Sequence, residues 1–264
     1  MDRVADAFPE SPRALTSDIR VRDIAMPLTE LSEGIIHSAL EEEAIAYPVN
    51  VVLSLQRERT AALLRAMRSQ HVLPALSHAW GSERAYSTLL REAGASLTVL
   101  DVPGPQWSEG LGKRVRALSN ISSVVVLVPE RTDSVALFLA GAANVIPRDT
   151  PPRELAGRIL AERRWLDSMS SPRWLSADSS PYRSLRQCTQ QVLFDILRSS
   201  ARPWCCHDLC LLLGTAEESM SRRALQARIV RLNERLMPEG ISVDCTTQRG
   251  RMTFKGLVAE SGGV

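Results

Sequence analysis

"LTVLDVPGPQWSEGLGKRVRALSNISSVVVLVP", Leu97 to Pro129, is the stretch that decides the fold. It opens on a short apolar run ending at Asp101, turns at Pro103-Gly104, continues with helical spacing, and closes on the apolar run "SSVVVLV". Neither apolar run alternates with polar residues, so each predicts a strand covered on both faces. Strand, helix and strand in that order make one parallel crossover unit.

The same alternation extends in both directions, over residues 49–166. Upstream lie "VNVVLSL", the helical "RERTAALLRAMRSQ", "VLPALSH" and the helical "SERAYSTLLREAGA"; downstream lie the helical "TDSVALFLAG", "NVIPR" and the helical "PPRELAGRILAERRWL". Five strands alternating with five helices predict a doubly wound, flavodoxin-like α/β domain. Thr150 is expected to cap the last helix, ahead of Pro151 and Pro152. Residues 1–48 read as a partly disordered N-terminal extension, with a short strand at "IRVRDI" and an amphipathic helix carrying Leu31, Ile35, Ile36 and Leu40. Taking "IRVRDI" as the first strand of the sheet would leave one strand too many.

Beyond the α/β pattern, residues 167–185 are rich in Ser and Pro and read as a linker, with a short strand expected at Trp174-Leu175. Residues 186–256 follow a different plan of three helices and a terminal hairpin, and residues 257–264 form a tail. "QVLFDILRSS" places Val192, Leu193, Ile196 and Leu197 on one face, and "HDLCLLLG" stops at Gly214. The third helix, about Ser221 to Leu236, carries one narrow apolar stripe of Leu225, Ile229, Leu232 and Leu236. "ISVDCTT", the turn "QRG" and "RMTFKGL" predict a β-hairpin.

Charge separates the two regions. From Pro181 onward 12 basic residues face 8 acidic ones, whereas the rest of the chain is slightly acidic. Lys113 and Lys255 are the only lysines, so the positive charge is nearly all guanidinium, the group that forks onto phosphate and guanine. No apolar run approaches the ~18 residues of a membrane helix, and the start of the chain resembles no signal peptide, so the expected location is the cytoplasm. All five cysteines fall in the last third. In "CCHDLC", Cys206, His207 and Cys210 lie within two helical turns, but no second ligand pair at zinc-finger spacing follows, and Cys206 and Cys210 alternate with Leu209, Leu211, Leu212 and Leu213 as core positions would. No metal and no cofactor are expected.

On the third helix, 100° per residue turns Arg223, Arg228, Arg231 and Arg235 away from the apolar stripe, with Ala227 and Val230 between them. Arginine forks read guanine O6 and N7 in the major groove while small neighbours allow close approach, so this face predicts a recognition helix. Arg249 and Arg251 at the hairpin tip are the matching contacts to backbone or minor groove.

The run "ALQARIVRLNERLMPEGISVDCTTQRGRMTF" resembles the C-terminal part of a winged helix-turn-helix of the OmpR/PhoB response-regulator family. The resemblance rests on Ile229, Arg231, Leu232 and Leu236, on the short loop after them, and on Arg249-Gly250 of the wing turn, and it covers about residues 186–256. It departs at Arg251, Met252 and Thr253, where the family usually shows a second glycine and an aromatic. The family also implies a receiver domain upstream, which residues 49–166 resemble: "LTVLDVPGP" is similar to the phosphoacceptor strand, and "GAANVIPRD" to the strand that carries the active-site lysine.

Aspartyl phosphorylation needs carboxylates to hold Mg²⁺, a hydroxyl after the fourth strand and a lysine for the phosphoryl group. At those positions the chain has Ser54-Leu55-Gln56, Val128 followed by Pro129, and Arg148. Asp101 alone survives of the five. The resemblance therefore implies an atypical, orphan-type response regulator of two-component kind: a DNA-binding transcription factor, homodimeric through its receiver-like domain, not governed by conventional phosphorylation, and open to a small-molecule effector. Two other classes compete. An enzyme would need a phosphate loop or a nucleophile with its base, and neither G-x-G-x-x-G nor G-x-x-x-x-G-K-[ST] occurs, while His37, His71, His78 and His207 are scattered. A protein interaction module, or a ligand-sensing regulator without direct DNA readout, would use the arginines only for solubility.

Overall fold

The computed structural model describes residues 47–56, 60–91, 94–169, 188–200 and 202–258. The strand and helix expected before residue 47, the linker core and the Trp174-Leu175 strand lie outside these. Strands β1 (Val49–Ser54), β2 (Pro74–Ala79), β3 (Leu97–Asp101), β4 (Ser123–Val128) and β5 (Asn144–Pro147) form one five-stranded sheet in the order β2-β1-β3-β4-β5, every pair parallel. The helices between and after them are α1 (Thr60–Ser69), α2 (Glu83–Arg91), α3 (Leu111–Ser119), α4 (Ser134–Leu139) and α5 (Pro152–Met169). This is the expected α/β alternation, with β1 at Val49 as the first strand of the sheet.

The missing alternation in the strands has a direct cause. On β3 and β4, Leu97, Val99, Val125 and Leu127 join the core under α1 and α5, while Leu100, Val124, Val126 and Val128 join the core on the opposite face. Both faces are covered, so apolar residues follow one another without alternation, and the buried Thr98 of β3 hydrogen-bonds the Ser122 hydroxyl at 2.7 Å. The edge strands differ: β2 is only half-buried, and its Pro74 and the Pro147 of β5 stand at strand ends where no ladder donor is needed. At α5 the helix begins at Pro152, one residue later than expected, and the Pro151 carbonyl rather than Thr150 opens it, accepting from Leu155 N.

The remaining helices are α6 (Cys188–Ser199), α7 (Cys206–Leu212) and α8 (Arg222–Leu236). Strands β6 (Trp204–Cys205), β7 (Ile241–Gln248) and β8 (Arg251–Val258) make an antiparallel sheet in the order β6-β8-β7. The two-residue strand β6 was not expected; it is too short to show a period, and pairing with Phe254 and Thr253 of β8 creates it. The Ser221 hydroxyl caps α8 by accepting from Ala224 N at 3.2 Å. Leu225, Ile229, Leu232 and Leu236 are buried as their spacing implies.

The described residues all belong to one compact unit running from Tyr47 onward, and the apolar core is continuous between the two sheets. Helix α2 packs on α6, and α3 on α7. Four polar or backbone contacts stitch the seam. Trp80 Nε1 donates to the Leu211 carbonyl at 2.9 Å, and Arg114 Nη2 donates to the Ala216 carbonyl at 2.6 Å. Arg116 pairs with Asp208 at 3.3 Å. Gly81, at φ +84°, lies so close to the Gly214 carbonyl that a Cβ there would overlap it. No helix among the described residues is long and apolar enough to cross a membrane.

Candidate functional site

The arginine face of α8 follows from the burial of its opposite side. With the leucine stripe fixed in the core, Arg223, Arg231 and Arg235 are exposed, Arg228 is half-buried, and Ala227 and Val230 lie exposed between them. Val230 is 57% exposed, large for a valine on a helix packed along its other side. None of the four arginines has an acid within ion-pair distance among the described residues. The helix thus presents guanidinium groups and small apolar side chains to the exterior.

Asn233 ties this helix to the hairpin. Its side-chain carbonyl accepts from Val243 N at 2.7 Å and its amide donates to the Val243 carbonyl at 3.1 Å, so one amide satisfies both backbone groups of a β7 residue. Arg249 and Gly250 form a two-residue loop between β7 and β8, with φ of +50° and +76°. Two consecutive left-handed residues fit a type I′ turn, whose twist matches the strands it joins. Arg249 is thereby held at the very tip and Arg251 at the first position of β8, both exposed. Arg251, Met252 and Thr253 run on from this turn in regular pairing with Gln248, Thr247 and Thr246.

In the α/β half, Asp101 sits at the C-terminal edge of the parallel sheet, beside Ser54 of β1 and Leu127 of β4. The expected neighbours do come together there. Val128 is buried, and its carbonyl accepts from Arg148 N at 2.8 Å. The Arg148 guanidinium lies across the Asp101 carboxylate, with Nε 2.9 Å from Oδ1 and Nη2 3.4 Å from Oδ2. Its third nitrogen, Nη1, reaches the Pro103 carbonyl at 3.4 Å, bridging strand end and following loop. Asp101 is completely buried. Burial pushes its carboxyl above the ordinary value, and Arg148 and then the neighbouring Thr60 hydroxyl pull it partway back. Chemically this is a carboxylate with no exposure of its own, covered by a guanidinium that is 24% exposed.

The cysteine cluster is also placed. Cys206 and Cys210 are buried in α7 among Leu209, Leu211 and Leu212, and burial beside the Cys206 thiol pushes Cys210 up to about 12. Such thiols behave as core atoms. Cys205 is half-buried and Cys245 exposed.

Sequence reasoning missed the residues of the seam. Trp80, Gly81, Arg114, Arg116 and Asp208 carried no motif, since each looks like a loop or helix-surface residue until its partner more than 90 positions away is known. A tryptophan in the "HAWGSE" loop was the one available signal. Thr60, read as an ordinary helix residue, turned out to lie beside Asp101. No protein-family model matches the chain, and no curated protein is significantly similar to it.

Proposed function

We propose that the chain is a sequence-specific DNA-binding transcriptional regulator of response-regulator type, with a receiver-like α/β half and a winged helix-turn-helix half. The observation that carries the reading is the exposed α8 face, in which Arg223, Arg228, Arg231 and Arg235 surround Ala227 and Val230 without acidic partners. In this reading α8 enters the major groove, α7 precedes it, and the β7-β8 hairpin with Arg249 and Arg251 serves as the wing. Asn233 fixes the angle between the two.

The receiver-like half is not driven by aspartyl phosphorylation in this reading. The Asp101–Arg148 pair supports that view, because the carboxylate is both buried and engaged. A homodimer through this half is supported by Val135, Phe138 and Leu139, which α4 exposes beside the edge strand β5.

The test is salt dependence on duplex DNA. Phosphate contacts release counterions, so affinity should fall steeply as salt rises, with heparin retention following the same trend. Salt-insensitive behaviour would instead favour a protein interaction module.

A further inference from the structure

A cleft of about 400 Å³ opens where the two sheets' helices meet. Three arginines from three separate elements line it: Arg116 of α3, Arg222 at the start of α8, and Arg251 at the start of β8. His207 and Gly250 also line it, and its single carboxylate, Asp208, is already paired with Arg116 at 3.3 Å. Three guanidiniums against one neutralised carboxylate leave a marked positive excess in a concave space. Arg222 and Arg251 have no acid within ion-pair distance among the described residues.

We propose that this cleft is a phosphate-binding site assembled jointly by both halves of the chain. Arginine suits the tetrahedral oxyanion because its fork offers parallel donors, and donors from three directions match oxygens that point in different directions. Gly250 contributes no side chain, and nothing lies within 4 Å of where its Cβ would be, so the hairpin leaves the entrance open. The volume exceeds that of a bare phosphate and falls in the range that accepts a small ligand. The phosphate is carried either by a phosphodiester of bound DNA or by a small phosphomonoester. The second source would act on the hairpin and on α8 together, since Arg251 and Arg222 both line the space, and Arg116 would report occupancy to the α/β half. The DNA arm rests on the function proposed above, whereas the free-phosphate arm does not.

The experiment titrates the full chain with inorganic phosphate by calorimetry against chloride at matched ionic strength. In parallel it measures the salt dependence of duplex DNA binding. Arg222→Gln and Arg116→Gln are compared with the wild type in both arms, and circular dichroism checks their folding. Saturable phosphate binding that each variant weakens at least about tenfold supports a free-anion site. No saturable phosphate binding, but a salt slope reduced by about one in Arg222→Gln, supports a DNA phosphate seated there. Phosphate binding with no DNA binding in any condition keeps the site and removes the transcriptional reading. Absence of saturable phosphate binding together with unchanged salt slopes in both variants overturns the proposal.

Discussion

Trp80 Nε1 donates a 2.9 Å hydrogen bond to the backbone carbonyl of Leu211, 131 residues away, and both groups are buried. This bond joins the loop after β2 to the helix that precedes the arginine face. It makes the α/β half part of the scaffold that holds α8, while leaving the arginine face itself uncovered. Trp80→Phe keeps most of the ring's apolar burial and strands the Leu211 carbonyl. It should cost about 1–3 kcal/mol. Urea unfolding followed by tryptophan fluorescence and circular dichroism should show one shared transition in the wild type. Two separate transitions would mean that the halves unfold independently and that the seam contributes little.

The close approach of Gly81 and Gly214 gives a second check on the seam. Gly81→Ala places a methyl group against a backbone carbonyl at a left-handed φ, so neither strain nor overlap can relax cheaply. The expected result is a larger loss of stability than an alanine at exposed Gly250 causes, measured by urea midpoints.

The Asp101–Arg148 pair sets a pH dependence whose sign is fixed by burial. Asp101's folded value is raised, so the folded chain holds the proton more tightly than the unfolded chain does. Its contribution to stability is fully present below the ordinary carboxylate value of ~4 and is lost as pH rises through the raised value. Arg148→Ala removes the main opposing influence, so the loss should extend to higher pH and reach about 3 kcal/mol at neutral pH. Asp101→Asn should abolish this dependence. Urea midpoints between about pH 4 and about pH 8 check both, the range lying above the ordinary carboxylate value.

The same pair predicts chemical silence. Acetyl phosphate with Mg²⁺ should leave the intact mass unchanged, because the carboxylate is covered by a guanidinium and has no acidic metal ligands at Ser54 or Gln56. A gain of one phosphoryl group that disappears in Asp101→Ala would contradict this.

The parallel sheet was legible because both its faces are buried: strands such as "SSVVVLV" advertise themselves by an unbroken apolar run, Val124 to Val128, in place of alternation. The stripe on α8 was legible for the complementary reason, since a helix with one wet face must show a period. Strand β6 was not, because two residues have no period and its existence depends on β8. The Asp101–Arg148 contact was open to inference, as both residues lie at strand ends of a known topology. The seam was opaque. Trp80 and Leu211, or Arg116 and Asp208, meet only through tertiary packing, which no local pattern encodes.

The central claim is that the exposed arginine face of α8 reads DNA sequence. Selection of bound duplexes from a random pool, with wild type and Arg231→Ala side by side, tests it most directly. The wild type should enrich a defined motif containing guanine, and Arg231→Ala should lose about 1–3 kcal/mol on that motif and relax its preference at one position. No enriched motif for the wild type, or identical motifs and affinities for the two proteins, would contradict it.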